Sequence, residues 1–200
     1  MIEVFFDVET KKLFSEIDGK DPALLGVSIM SVLKREIKNG VEVNSLMQSF
    51  WEKELMEAFK IFEEADRIIG FNSLKFDVLA LKPYLPQKLS QMNHLDIMDK
   101  VKSVLGRRIS LDCIAKETLG RTKTDDGLNA VLYWNRGDEE SLSKLKSYCE
   151  ADVFLTKDVY DFGMKNKHLK YMDPWNNSRK VEIDFSYPPA ELSAKQVGLF

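Results

Sequence analysis

The chain has 200 residues with a formal net charge of −3, and 44% of them are hydrophobic while 30% are charged. This balance is ordinary for a globular protein, and the length suits a single hydrophobic core. The longest apolar runs are too short to span a bilayer, so we expect no membrane contact and a cytoplasmic location. Two cysteines are too few for a disulfide framework or a zinc cluster.

The first forty residues predict an antiparallel meander of three strands. Residues 2–6 are aromatic and β-branched, as in a buried strand, whereas residues 10–22 are polar enough to form a loop. Residues 24–33 alternate between apolar and small or polar side chains, which is typical of a second strand. Residues 38–41 have the sequence Lys-Asn-Gly-Val, a strong hairpin signal, so residues 34–43 are expected to form a turn and its flanks.

From residue 44 or 45 to about residue 66 the pattern predicts a helix. Apolar side chains recur three or four positions apart, with glutamates on the opposite face. The apolar positions are Met47, Trp51, Leu55, Phe59 and Phe62.

The rest of the chain alternates between predicted strands and helices. The expected strands are residues 67–71, 94–98 and 181–185, and the expected helices are residues 76–82, 110–119 and 141–162. Pro83 and Pro86 are expected to stop the first of these helices, while Ser110 caps the second and Gly120 ends it. Three leading strands followed by this alternation indicate an α/β fold with a mixed central sheet.

We expect one domain, residues 1–187, followed by a C-terminal tail of residues 188–200. The basic residues are concentrated in two segments, residues 100–123 and residues 164–180, while the acids cluster elsewhere. Each segment suits either a solvated surface or a nucleic-acid contact, because the distribution of charge matters more than its sum.

Three acidic motifs occur at the ends of predicted elements. Asp7-Val8-Glu9 follows the first strand, and residues 72–77 (Asn-Ser-Leu-Lys-Phe-Asp) follow the fourth. Residues 148–152 (Tyr-Cys-Glu-Ala-Asp) lie on the last long helix. Positions i and i+2 of a strand share a face, as do positions i and i+4 of a helix. The motifs can therefore direct several carboxylates and one phenol at a single site.

Carboxylates gathered in this way repel one another unless cations lie between them. Oxygen ligands favour hard ions, so we expect two divalent cations, Mg²⁺ or Mn²⁺, about 3.5–4 Å apart. Such a pair suits the hydrolysis of a phosphodiester. A second Asp-x-Glu, at residues 138–140, lies in a polar stretch expected to be a loop. Because chance supplies such pairs, the evidence is the order and spacing of all three motifs together.

The three motifs resemble those of the DEDD 3′→5′ exonucleases of the tyrosine subtype. The resemblance covers residues 2–162 and is strongest with the proofreading domain of family-B DNA polymerases and with related stand-alone predicted exonucleases. It implies a ribonuclease H-like fold with a mixed five-stranded central sheet flanked by helices. The metal ligands it implies are Asp7, Glu9, Asp77 and Asp152. Tyr148 would orient the attacking water, and Ser147 stands where the histidine subtype needs a histidine.

The resemblance implies an exonuclease that shortens single-stranded DNA from its 3′ end, with a role in DNA repair. The candidate substrate-binding residues are Thr10, Asn72, Phe76, Arg107 and Arg108. Asn72 would also shape the second motif, and Phe14 with Phe76 could stack on a terminal base. The basic segment 100–123 is either a path for the substrate or a surface for a partner, and no protein partner is specified.

Besides this DNA exonuclease, two functional hypotheses stay open. An RNA-trimming 3′→5′ exonuclease would use the same chemistry, and a non-catalytic nucleic-acid-binding module could share the fold. A ribonuclease H-type or transposase-like endonuclease is less favoured, since the tyrosine motif has no role there. No polymerase or helicase region is attached, so we expect no proofreading in cis.

Two other groups of polar residues are expected to be structural. His94 and His168 have no neighbours at ligand spacing in the sequence. Asp96 and Asp99 are expected to act at a strand end, although either could support the metal ligands from behind. Asp112 is expected to favour the dipole at the start of a helix.

Overall fold

The computed structural model describes residues 1–85 and 89–187. A five-stranded sheet lies at its centre, with the strands in the order β3-β2-β1-β4-β5. The first three strands are antiparallel, and β4 and β5 run parallel to β1. The strands are β1 (Ile2–Thr10), β2 (Val27–Lys38), β3 (Val41–Trp51), β4 (Arg67–Gly70) and β5 (His94–Asp96). This arrangement confirms the predicted mixed five-stranded α/β sheet.

Helices cover both faces of the sheet, and a second sheet of two strands packs beside them. The helices are α1 (Leu55–Glu63), α2 (Asp77–Leu81), α3 (Ile97–Leu105), α4 (Leu111–Leu119), α5 (Gly127–Arg136) and α6 (Glu139–Asn166). The second sheet is the antiparallel hairpin of β6 (His168–Met172) and β7 (Ser178–Glu182). None of the helices in the described part of the chain is long and apolar enough to cross a membrane.

The central strand β1 is buried on both faces because its side chains alternate between two hydrophobic clusters. Val4 and Phe6 join the cluster beneath α1 and α2. Phe5 joins the larger cluster formed with α3, α4, α6 and the β6–β7 hairpin. A strand buried on both faces has a near-continuous apolar sequence, and this is why residues 2–6 could be recognised as a strand.

The helix predicted from residue 44 or 45 to about residue 66 is wrong in its first part. Residues 44–51 belong to β3, and α1 begins at Leu55. Met47 and Trp51 lie opposite Leu33 and Ile29 of β2. A separation of four residues places two side chains on the same face of a helix and also of a strand. The sequence periodicity therefore could not distinguish the two structures over this short segment.

Several other boundaries also differ from the prediction. Residues 97–98 start α3 rather than extend β5, and α5 and β6 were not predicted. Residues 138–140 were expected to be a loop, but Asp138 caps α6 by accepting a hydrogen bond from the Ser141 N–H at 2.8 Å. Pro86 and the predicted tail of residues 188–200 lie outside the described residues.

Two local predictions from the sequence are confirmed. Ser110 caps α4 through its hydroxyl, which accepts from the Cys113 N–H, and Gly120 ends the helix in the left-handed region with φ of 69°. Asn39 and Gly40 form the β2–β3 turn with φ of 54° and 76°. Positive φ at both positions is what a two-residue hairpin of this kind requires.

A buried ion pair ties the lower end of the sheet to α6. Arg35 of β2 lies 2.6 Å from the Glu3 carboxylate of β1 and 2.7 Å from Asp161 of α6. The Tyr160 and Tyr187 hydroxyls donate to the other Glu3 oxygen at 2.8 and 2.7 Å. Glu3 is therefore buried but fully bonded, and this network joins the sheet, α6 and residues 183–187.

Arg35→Met is expected to lower the free energy of unfolding by about 3 kcal/mol, because it leaves the Glu3 carboxylate buried without its ion pair. Urea denaturation measures this change. Lys34→Met is the matched control, since Lys34 pairs with Glu64 at the surface and its loss should cost about 1 kcal/mol or less. Equal losses in the two variants would contradict the structural weight given to Arg35.

Candidate active site

Three carboxylates meet where the upper half of β1 faces α6. Asp7 and Glu9 project from the same face of β1, and Asp152 projects from α6. One oxygen from each lies within 4.8 Å of the other two. The helix is close here, since the Cys149 thiol lies 3.5 Å from the Asp7 carbonyl oxygen. The strand and helix spacings seen in the sequence thus bring these three side chains together.

Asp77 lies in the same cavity but is held differently. It occupies the first position of α2, is 3% exposed, and accepts a hydrogen bond from the Val8 N–H at 3.0 Å. That N–H is available because the pairing of β1 with β4 ends at Phe5 and Ile69. The aspartate therefore caps an open strand edge of β1 and adds its charge beside the Asp7–Glu9–Asp152 group.

Asp96 shapes the turn that contains the second motif. Its buried carboxylate accepts from the backbone N–H groups of Asn72 at 2.9 Å and Leu74 at 3.1 Å. It also accepts from Met98 at the start of α3. This is the strand-end role expected of Asp96, with the addition that it sets the backbone of the motif. Gly70 is required here, because a Cβ on it would lie 2.3 Å from the Ser73 hydroxyl oxygen.

Lys123 is a site residue that the sequence reasoning missed. It lies between α4 and α5, and its ammonium is 2.5 Å from the Asp152 carboxylate and 5.2 Å from the centre of the Tyr148 ring. Its backbone N–H donates to Asp112 at 2.8 Å, so that aspartate does more than favour a helix dipole. In the sequence Lys123 is one of seven bases in residues 100–123, and nothing local distinguishes it from the rest.

Burial and mutual repulsion raise the pKa values of these carboxylates. Burial, together with the charge of Asp152, raises the pKa of Glu9 from 4.5 to about 8. Burial also raises the pKa of Asp77 from 3.8 to about 7, although the Val8 N–H opposes the change. The pKa values of Asp7 and Asp152 are raised for the same first reason. Charged carboxylates here therefore require a compensating cation.

Lys123 and Tyr148 lie beside these carboxylates, and their pKa values respond to the same negative charges. Burial lowers the pKa of Lys123, but the carboxylates of Asp152 and Asp7 outweigh it, so the ammonium stays charged. Burial and the charges of Glu9 and Asp152 raise the pKa of Tyr148 above its ordinary value. Tyr148 is thus a neutral phenol that can donate or accept a hydrogen bond but is not a base at neutral pH.

The donor set fits a divalent cation. One buried oxygen of Asp152, Oδ1, has no hydrogen-bond partner among the described residues. A buried acceptor without a partner is costly, and a cation is the ligand that would satisfy it. The surrounding ligands are carboxylate oxygens, which suit hard ions such as Mg²⁺ and Mn²⁺ rather than zinc.

Two cavities meet at these carboxylates. The first has a volume of about 280 Å³ and is lined by Thr10, Phe14, Phe76, Asp77 and Tyr148 among others. The second, of about 420 Å³, is lined by Arg108 and by Ser110 and Leu111 at the start of α4. Both include Asp7, Phe71, Asn72 and Lys123 in their walls. The two cavities therefore adjoin beside Asp7.

The predicted substrate-binding residues divide between these places. Thr10 and Phe76 line the first cavity, Arg108 lines the second and Asn72 lines both. The Arg108 guanidinium donates to the Asn72 side-chain oxygen at 2.8 Å. Arg107 lines neither cavity, and its guanidinium lies 5.4 Å from the centre of the Tyr171 ring on β6.

The two histidines lie away from the carboxylates. His94 is buried behind the second motif, where its Nε2 is 2.9 Å from the Ser73 hydroxyl, and burial lowers its pKa to about 4. His168 begins β6, with its Nδ1 2.9 Å from the Asn166 carbonyl oxygen. Neither histidine lines the two cavities, which is consistent with the structural or surface role expected of both.

The family model of the RNase H superfamily matches residues 4–163, most of the chain. The chain belongs to the RNase H superfamily. Membership confirms the ribonuclease H-like fold that the motifs implied, and it indicates a nuclease that uses divalent metal ions. The matched segment includes all three acidic motifs and every residue that lines the first cavity.

Among solved structures, the chain is similar to the family B DNA polymerase from the hyperthermophilic archaeon Pyrobaculum calidifontis. The two share 18% sequence identity with a TM-score of 0.61 over 82% of this chain. The match covers 24% of the polymerase chain, so this RNase H superfamily member spans about a quarter of that protein. At this identity the likeness shows a shared fold. No curated protein matches the chain significantly.

The raised pKa values predict how the metal-free protein responds to pH. Glu9 and Asp77 bind protons more tightly when folded than when unfolded, so stability falls as the pH rises through about 7 and 8. We expect the melting temperature in chelator to be lower at about pH 8 than at about pH 5. Mg²⁺ or Mn²⁺ should raise it by about 5 °C or more, most strongly at the higher pH, because bound metal replaces the protons.

Thermal unfolding with and without metal measures both effects. Asp7→Asn should abolish the metal-induced rise, whereas Glu139→Gln, in the second Asp-x-Glu sequence, should retain it. A metal response that is equal in both variants would place the cation elsewhere.

Proposed function

We propose that the chain is a metal-dependent 3′→5′ exonuclease of the DEDD tyrosine subtype that releases nucleotides from single-stranded DNA. The observation that carries this proposal is the convergence of Asp7, Glu9, Asp77, Tyr148 and Asp152 on one cavity. Membership of the RNase H superfamily supports nuclease chemistry, and the tyrosine supports the subtype.

Asp7, Glu9 and Asp152 are the residues that would hold the first of two divalent ions, with Asp77 contributing from the edge of α2. Bound ions would supply an activated water and stabilise the charge of the transition state. The protein's own contribution is to keep these carboxylates oriented, through the Val8 N–H on Asp77 and the rigid pairing of β1 with β2.

Tyr148 would orient the attacking water through its hydroxyl group. Because its raised pKa keeps the phenol neutral, it acts by hydrogen bonding and not as a general base. Lys123 lies beside Asp152 on the same wall of the cavity, where its positive charge would stabilise negative charge that develops on the phosphate.

The two cavities suit a single nucleic-acid strand that crosses the carboxylates. Its last phosphodiester would lie where the two cavities adjoin. Phe14 and Phe76 lie edge to face in the first cavity, with ring centres 6.1 Å apart, and offer a surface for the terminal base. The second cavity would receive the preceding nucleotides, with Arg108 near their phosphates. A surface that stacks on the terminal base favours removal of terminal nucleotides over internal cutting.

A gel time course tests this proposal directly. It uses 5′-labelled single-stranded DNA and RNA with Mg²⁺, with Mn²⁺ and with chelator. We expect a metal-dependent ladder of shortening DNA products that is absent for Asp7→Ala and unchanged for Glu139→Ala. A ladder on RNA but not DNA would support the RNA-trimming alternative. Intact oligonucleotides under every metal condition would contradict nuclease activity and favour a binding module.

Tyr148→Phe should slow cleavage by about a hundredfold, because it removes one hydrogen bond to the reacting water. The metal-induced rise in melting temperature should persist, since the carboxylates remain. Tyr84→Phe is the matched control, because the Tyr84 hydroxyl donates to Glu52 at 3.1 Å and does not line the carboxylate cavity. Cleavage by Tyr148→Phe at the parent rate would remove Tyr148 from the mechanism.

A further inference from the structure

The β6–β7 hairpin ends in a turn that is tightly bonded. The buried Asp173 accepts hydrogen bonds from the backbone N–H groups of Trp175 and Asn177, each at 2.9 Å. Its second oxygen accepts from the Arg179 guanidinium at 2.9 Å. Asn176 adopts the left-handed region with φ of 59°. These bonds fix the backbone of the turn and therefore the direction in which the Trp175 side chain leaves it.

Trp175 is exposed to solvent and does not pack in the core. Its side chain is 79% exposed, the highest value of any large apolar residue in the described part of the chain. Its neighbours in the turn are Pro174 and the polar residues Asp173, Asn176 and Asn177. A protein interface needs a wider apolar centre than one isolated indole, whereas a single aromatic ring is enough to stack on one nucleobase.

The hairpin also carries two lysines side by side on one face, next to a single acid, Glu182. Lys170 and Lys180 lie directly opposite each other in the β6–β7 pairing, and like charges in this position are unfavourable. Neither lysine forms an ion pair with any residue that the structure describes. Lys165 and Lys167, just before β6, are exposed. This distribution complements a polyanion.

The hairpin tip lies on the side of the second cavity. The Met172 N–H, near the tip, contacts the Cys113 sulfur of α4 at 3.4 Å, while Thr118, near the end of α4, bonds to the Lys170 backbone. The tip therefore points towards the start of α4, whose first residues line that cavity. Arg107 stacks on Tyr171 of the hairpin, and the next residue, Arg108, bonds to Asn72 beside the carboxylates.

We propose that the β6–β7 hairpin is a second contact for single-stranded nucleic acid. Trp175 stacks on a base of the strand that leaves the second cavity, and Lys170 and Lys180 lie along its phosphates. The identity of this ligand rests on the proposed function.

The test is the affinity for a labelled single-stranded oligonucleotide of about twelve nucleotides, measured by fluorescence anisotropy in chelator so that nothing is hydrolysed. Trp175→Ala should weaken binding by about fivefold to a hundredfold, the effect of losing one base–aromatic stack, while Trp175→Phe stays near the parent. Met56→Ala is the matched control, because Met56 is an exposed apolar residue on α1.

The salt dependence of binding tests the phosphate contacts. Lys180→Gln should make the plot of log affinity against log salt concentration less steep by about 0.7, the change expected for one lost contact to a single strand. Lys60→Gln, an exposed position on α1, should leave the slope unchanged. In turnover assays Trp175→Ala should raise KM and leave kcat near the parent value.

Parent-like affinity in Trp175→Ala, or an equal loss in Met56→Ala, would overturn the inference. The result is separable from the exonuclease proposal, because binding in chelator needs no catalysis. An inactive parent whose binding still depends on Trp175 would reject the exonuclease and retain the hairpin contact. An active enzyme that is indifferent to Trp175 and Lys180 would do the reverse.

Discussion

Four carboxylates close to one another, three of them buried, are the constraint on which the rest of this molecule depends. Burial and repulsion raise the pKa of Asp7, Glu9, Asp77 and Asp152. Such a group is stable only with protons or with cations among its members. Lys123 supplies one charge from a loop, and the unsatisfied oxygen of Asp152 leaves room for more. The burial that destabilises the charged carboxylates is therefore also what makes them a site for cations.

The two ends of the sheet have different roles. At the lower end the Glu3–Arg35 pair and the tyrosines that bond to it lock β1, β2 and α6 together. At the upper end β4 stops early, so the backbone of β1 is free to bond to Asp77. Strand ends in α/β sheets commonly hold ligands for this reason. The fold therefore places a fully bonded ion pair at one end of the sheet and the carboxylate group at the other.

The path for a substrate follows from the loops that surround the upper end. The turn after β4, set by Asp96, separates the two cavities while contributing Asn72 to both. The loop after α3 places Arg108 on this turn and Arg107 on the β6–β7 hairpin. Two adjacent arginines thus connect the carboxylates to a surface that the motifs do not include. A chain of modest net charge in this way concentrates positive charge beside the carboxylates.

The sequence by itself determined the three motifs, the fold class and the relative directions of the side chains that repeat within one element. Asp7 with Glu9, and Tyr148 with Asp152, follow from local geometry, because strand and helix periods are properties of the backbone. The tertiary structure decided what depends on distant residues. Only packing brings Lys123 from a loop to Asp152. Packing also places Arg107 and Arg108 on different surfaces. It makes residues 44–51 an edge strand as well. A four-residue spacing fits a strand as well as a helix, so the neighbouring strand β2 settles the choice.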